Sequence, residues 1–159
     1  MGRFEKQIVI GSDHAAFKFK QTIKSLLIEN SYTVEDVGSH FETSVDYPDF
    51  AISVASMIST GQFKKGILIC GTGIGMSMVA NRFPHVRAAL CNDLFSAIMS
   101  RQHNDANILV MGGRLIGDSL AWEIVKTWLE TPFEGGRHQQ RLDKFDHVDP
   151  AVPFRLQKE

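Results

Sequence analysis

Residues 66–75 read GILICGTGIG. Gly66–Cys70 is the most continuously apolar run in the chain, as a central strand covered on both faces requires. Three glycines follow in the next five residues. They permit a tight turn and leave backbone N–H groups exposed. Helical spacing then takes over across Met76–Arg82 and stops before Pro84. A buried strand that passes through a glycine turn into a helix is the repeating unit of a parallel sheet.

The same alternation extends in both directions from this stretch. Towards the N-terminus, Gln7–Gly11 (QIVIG) and Tyr32–Gly38 read as strands. Ala15–Asn30 reads as a helix with Phe19, Ile23, Leu26 and Leu27 on one face and Lys18, Lys20 and Lys24 elsewhere. Tyr47-Pro48 opens another helix, where the missing proline N–H would lack a partner in any case. Towards the C-terminus, Val86–Cys91 and Ile108–Met111 are strands and Leu94–Gln102 and Ser119–Glu130 are helices. Beyond the break at Gly135 and Gly136, helical spacing resumes over Arg137–Phe145, and an arm is expected from about Asp146. These alternations predict a single domain over residues 1–159 of the α/β class. Its architecture is three-layer αβα, doubly wound and Rossmann-like, with five parallel strands. Such sheets bind ligands at the carboxyl ends of their strands. Chemistry is therefore expected at Ser12-Asp13-His14, Gly71–Gly75, Asn92-Asp93 and Gly112-Gly113-Arg114.

Composition narrows the function classes. Apolar residues make up 43% and charged residues 22% of the 159, and the formal net charge is -1. That balance argues against a nucleic-acid surface, which needs a basic excess. No run of about 18 apolar residues marks a membrane span, and the N-terminus lacks the features of a secretory leader. Lys6 stands where an acylation signal wants Ser or Thr. The two cysteines, Cys70 and Cys91, sit in apolar runs, and the reading is a cytoplasmic, reducing setting.

Cys70 ends the central strand and precedes the glycine turn. An isolated cysteine is commonly a buried core thiol. A thiol at a helix N-terminus, however, has its thiolate stabilised, and such a base suits proton abstraction beside a carbonyl. The N–H groups of Gly71, Thr72, Gly73, Ile74 and Gly75 could hold the enediolate oxygen that then develops. Cys91 has no glycine turn after it and reads as structural. The turn is spaced G-x-G-x-G and so misses the dinucleotide fingerprint by one position. Asp93, 20 residues after Gly73, nonetheless sits where a ribose-binding acid would. Asp13 could cap the following helix, His103 could be a surface residue between elements, and Arg137 and Arg141, four apart, could form a solvated basic face.

Read together, Cys70–Gly75, Ser100-Arg101-Gln102-His103-Asn104-Asp105 and Gly135-Gly136-Arg137-His138-Gln139-Gln140-Arg141 closely resemble type B ribose-5-phosphate isomerase, a family that also contains galactose-6-phosphate isomerase subunits. Ser12-Asp13-His14-Ala15 and Asp46-Tyr47-Pro48 match as well, and the resemblance runs from about Ile8 to Arg141. It implies an aldose–ketose isomerisation of ribose 5-phosphate and ribulose 5-phosphate through an enediolate, with no metal or organic cofactor. It implies that Cys70 is the base; another branch uses a glutamate where this chain has Met76. His103 would open the furanose ring, assisted by Asp13, and Thr72 would orient the thiol or a substrate oxygen. His14, Asn104, Arg114, Arg137 and Arg141 would bind the sugar phosphate along with Asp13 and Gly71–Gly75. Tyr47 and His138 receive no firm role. The resemblance also implies a homodimer, sometimes a tetramer, with His103, Asn104 and Arg114 reaching into the partner's pocket.

Three other readings stand beside this one. A six-carbon substrate such as allose 6-phosphate or galactose 6-phosphate is one. A non-catalytic nucleotide-binding domain built on the glycine turn and Asp93 is another. A thiol redox sensor ranks last, for want of a resolving cysteine nearby.

Overall fold

A computed structural model describes residues 6–145 and 148. Five strands, β1 (Gln7–Ser12), β2 (Thr33–Asp36), β3 (Lys65–Cys70), β4 (Ala88–Leu90) and β5 (Ile108–Gly112), form one sheet in the order β2-β1-β3-β5-β4. Every neighbouring pair is parallel. Six helices accompany them: α1 (Phe17–Glu29), α2 (Tyr47–Ser59), α3 (Ile74–Ala80), α4 (Leu94–Gln102), α5 (Asp118–Glu130) and α6 (Arg137–Leu142).

Period-two alternation along the strands distributes the core to two faces. Ile67 and Ile69 point towards Phe19, Ile23, Ala121, Ile124 and Trp128, from α1 and α5. Leu68 and Cys70 point the other way, towards Ala51, Val54, Ala55, Met76 and Ala80, from α2 and α3. Helices on both faces of a parallel sheet give the expected three layers. Among the described residues, no helix is long and apolar enough to cross a membrane.

Several boundaries differ from the sequence reading, each for a local reason. β4 keeps only three of its expected six residues. Among the described residues it is an edge strand with β5 as its sole neighbour, and the Arg87 N–H already donates to the Asn107 side chain. β2 ends at Asp36, whose carboxylate is claimed by Lys20, Lys24 and the Gly38 N–H. Helix α1 is preceded by a single 3-10 turn, His14–Ala16. Helix α3 starts two residues earlier than expected, because Gly73 takes φ +79° and the chain turns into the helix at once. It ends at Ala80, where Asn81 bonds both ways with the backbone of Ala88. Helix α6 stops at Leu142, and the arm expected from about residue 146 lies, apart from Val148, outside the described residues.

Lys20 is the largest departure. Its place on the polar side of α1 suggests solvent, yet it is fully buried. It pairs with Asp36 and donates to the Ser39 carbonyl at 2.9 Å. Lys24 holds the other Asp36 oxygen at 2.9 Å. This cluster pins the start of the segment 39–46, whose Val45 N–H reaches His14.

Candidate active site

The carboxyl end of β3 carries the candidate base. Cys70 is 5% exposed, and the Gly73 N–H donates to its Sγ at 3.1 Å. A backbone donor aimed at sulfur is a partner that serves a thiolate. That donor is available only because Gly73 is left-handed. A Cβ there would sit 2.4 Å from Leu90 Cδ1 and 3.0 Å from the Met111 carbonyl carbon. β5 closes in from the side, with Cys70 opposite Gly112 in register and the Gly113 N–H donating to the Cys70 carbonyl at 2.8 Å.

Around this turn lie four further candidates. Asp13 is 7% exposed and accepts from the Ala16 N–H at 3.1 Å, so it caps the turn ahead of α1. His14 Nδ1 accepts from the Val45 N–H at 3.2 Å. The proton of the neutral ring therefore belongs on Nε2, the nitrogen left to face a ligand. Thr72 is exposed, and its hydroxyl accepts from the Ile74 N–H at 3.4 Å. It fastens the turn, and no bond from it to the thiol is present. Arg114 is exposed, its N–H donates to the Gly71 carbonyl at 3.1 Å, and its side chain runs over Gly71. Arg114 thus lies against its own chain's glycine turn.

Tyr47 joins the same cradle. A Cβ on Gly75 would lie 2.5–2.7 Å from the phenol Cζ and Oη, so the ring rests directly on that glycine. Sequence spacing could not decide this, because Tyr47 begins α2 and Gly75 lies on α3. Met76, the position of the glutamate in the family's other branch, is fully buried.

The remaining candidates sit elsewhere. His103 caps the C-terminal end of α4, immediately before the chain enters β5 at its amino end. Asn104 is exposed beside it, its carbonyl accepting from Arg87. The neighbouring Asp105 is bridged by Arg87 and Arg101 at 2.9 and 2.8 Å. Helix α6 docks here as well: the Glu134 N–H donates to the Gln102 carbonyl at 3.1 Å, and the His138 ring stacks on His103 with centroids 4.1 Å apart. Arg137 and Arg141 lie exposed on α6, and among the described residues neither forms an ion pair. Gly135 and Gly136 both take positive φ ahead of α6. That break leads to this end of the sheet, so α6 does not cover its own chain's Cys70.

Two groups therefore occupy opposite ends of the parallel sheet. Cys70, Asp13, His14, Tyr47 and Arg114 stand at the carboxyl ends; His103, Asn104, Arg137 and Arg141 stand at the amino ends. Four steps of β5 alone separate the ends by about 13 Å.

The other sequence alternatives are answered locally. Asp93 caps α4, accepting from the Ser96 N–H at 2.7 Å and the Ser96 hydroxyl at 2.9 Å. The Ser96 N–H and hydroxyl hold its carboxyl below the usual range. Its two bonds to Ser96 make it the N-cap of α4. Cys91 is 1% exposed, and burial pushes its thiol up, as befits a core residue. His103, Glu134 and His138 bring possible ligand atoms within 4.8 Å of one another. The two imidazoles are parallel to within 9°, so their in-plane lone pairs run side by side and do not converge on one ion. A cleft of about 950 Å³ lies away from Cys70, between Phe83, Pro84 and Arg87 on one side and Leu142 and Phe145 on the other.

Comparison with known proteins adds an independent finding. Residues 8–145 match the family model described as Ribose/Galactose Isomerase. Ribose-5-phosphate isomerase B of Escherichia coli is 44% identical over 144 residues, covering 91% of this chain and 97% of that protein. The structure of a ribose 5-phosphate isomerase from Thermotoga maritima superposes with a TM-score of 0.87 at 52% identity, covering 89% of this chain and 98% of that one. The Mycoplasma genitalium ribose-5-phosphate isomerase B, solved with bound ribulose-5-phosphate, gives 0.85 at 41% identity, with 89% and 94% covered.

Proposed function

The chain belongs to the ribose/galactose isomerase family, and from that premise we propose that it interconverts ribose 5-phosphate and ribulose 5-phosphate. The active site is shared across a homodimer. The observation that carries this reading is the Gly73 N–H on Cys70 Sγ, which gives a sulfur base a fixed donor at the mouth of a backbone turn.

The reaction divides into ring opening and proton transfer. His103 of one chain gives a proton to the ring oxygen of the furanose while the Asp13 carboxylate of the other chain takes the proton of the anomeric hydroxyl, and the two side chains reset by proton exchange with solvent before the next turnover. This frees the C1 aldehyde. The Cys70 thiolate then takes the proton from C2, and the electron pair moves to make the C1–C2 double bond, with charge on O1. N–H groups of Gly71–Gly75 hold that oxygen. A proton passes from O2 to O1, the C2 carbonyl forms, and the Cys70 thiol returns its proton to C1. The Cys70 thiolate is regenerated, and no redox equivalent is consumed.

Substrate binding uses both ends of the molecule. Arg137 and Arg141, one turn apart, present two guanidinium forks to the phosphate. Arg114, His14 and Asn104 contact the sugar and its phosphate. One chain cannot bring Cys70 and His103 together, which supports an interface site. The proposal treats residues 1–159 as one isomerase domain, working without metal or cofactor in the reducing cytoplasm, where Cys70 persists as a free thiol.

A side-by-side assay with ribose 5-phosphate, allose 6-phosphate and galactose 6-phosphate tests the reading. The expected result is the highest kcat/KM on ribose 5-phosphate. Preference for a six-carbon substrate would overturn the pentose assignment, and no turnover of any of the three would overturn the isomerase reading.

A further inference from the structure

His138 has no part in the mechanism above, yet it is the most enclosed polar group at the amino ends of the strands. It is 3% exposed, while its helical neighbours Arg137 and Arg141 are in solvent. Its ring lies 4.1 Å from that of His103 and parallel to within 9°. Two backbone contacts fix the elements that carry the rings: Glu134 N–H to the Gln102 carbonyl at 3.1 Å, and His138 N–H to the Gly135 carbonyl at 3.0 Å. Leu142, one turn on, anchors the same face of α6.

Neither nitrogen of His138 is placed to exchange a proton with a ligand. Nδ1 is buried with no partner among the described residues, and Nε2 lies 3.5 Å from the Glu134 carboxylate. The ring's flat face, however, covers one face of His103. We propose that His138 is a positioning residue for His103: its buried ring is a shelf that sets the plane of the His103 imidazole and so the direction of its proton. The charged or titratable groups around it are His103, Glu134, Arg137 and Arg141. Burial first, then His103 and Arg137, lower its pKa against the opposing pull of Glu134. An uncharged shelf can lie against His103 in either protonation state without like-charge repulsion.

The inference rests on the isomerase reading, and its test separates the two. Ribose 5-phosphate must be opened from its furanose, whereas ribulose 5-phosphate, with its C5 oxygen phosphorylated, is open-chain. Deuterium exchange from solvent into C1 of ribulose 5-phosphate therefore needs Cys70 but no ring opening. His138→Ala is expected to lower kcat on ribose 5-phosphate by about 10-fold or more while leaving KM within about 2-fold, since a lost positioning contact acts on the transition state. His138→Phe, which keeps an uncharged flat ring, is expected to recover to within about 3-fold of the parent. Exchange into ribulose 5-phosphate stays at the parent rate in both variants. Unchanged kcat in His138→Ala, equal impairment in His138→Phe, or parallel loss of exchange and a raised KM would each overturn the shelf. A parent protein that neither turns over ribose 5-phosphate nor exchanges C1 of ribulose 5-phosphate would instead refute the isomerase reading.

Discussion

Cys70 and His103 stand at opposite ends of one parallel sheet, the first closing β3 and the second lying just ahead of β5. A side chain cannot span the strand between them. If both act on one sugar, they come from different copies of the chain.

Complementation tests that consequence. Cys70→Ala and His103→Ala are each expected to lose about 10³-fold in kcat. Co-refolded in equal amounts, they should regain up to about one quarter of parental activity, because half of randomly paired dimers contain one intact site of two. Recovery is read as turnover of ribose 5-phosphate by the mixture. No recovery, with mixed dimers demonstrated by mass, would place both residues in one chain's site.

Gly73→Ala should damage fold and chemistry together. The left-handed φ of +79° disfavours any side chain by roughly 1–2 kcal/mol. The added carbon would also press on Leu90 Cδ1 and the Met111 backbone. The turn must shift, and with it the N–H that Cys70 Sγ accepts. A lower Tm and a fall in kcat of at least about 10-fold are expected. A variant that melts like the parent with full activity would mean that the turn tolerates another geometry.

Lys20→Met probes the buried cluster behind the segment 39–46. Burial pushes the Asp36 carboxyl up, but Lys20, Lys24 and the Gly38 N–H outweigh it and hold it below the usual range. The stability this supplies is present above pH ~4 and fades as pH falls through the lowered folded value. Removing Lys20 leaves Asp36 with Lys24 and one N–H, and a loss on the order of 3 kcal/mol follows from breaking a buried pair. Urea midpoints at pH 7 and pH 3 should show a large deficit at the first and a smaller one at the second.

His138 marks the same acid limb of the pH profile at a higher pH than Asp36. Its folded pKa is lowered, with burial the leading cause. The unfolded chain therefore takes up the proton first as pH drops below ~6.5. Stability is full above that pH and declines as pH falls towards the folded value. The Tm of the parent should fall between pH 7.5 and 5.5 by more than that of His138→Phe. Equal slopes would show that the ring charges without penalty.

Local patterns carried most of the architecture. The run GILIC declares a doubly covered strand, and helical spacing set α1, α2, α4 and α5 to within a few residues. The errors fall where a neighbour and not the local pattern decides: the short edge strand β4, the early start of α3 on Gly73, and the burial of Lys20. An amphipathic pattern marks Lys20 as polar but cannot reveal that Asp36, 16 residues away, waits in the interior.

The candidate site divides in the same way. The sequence alone determines the class of fold, the cysteine before a glycine turn, and the family, because each rests on residues adjacent in the chain. Tertiary structure decided that Tyr47 lies on Gly75, that Arg114 lies against its own chain's glycine turn, that His138 shelters His103, and that Cys70 and His103 are held apart. These are contacts between elements distant in sequence, and they depend on the strand order and crossovers, which no local pattern encodes.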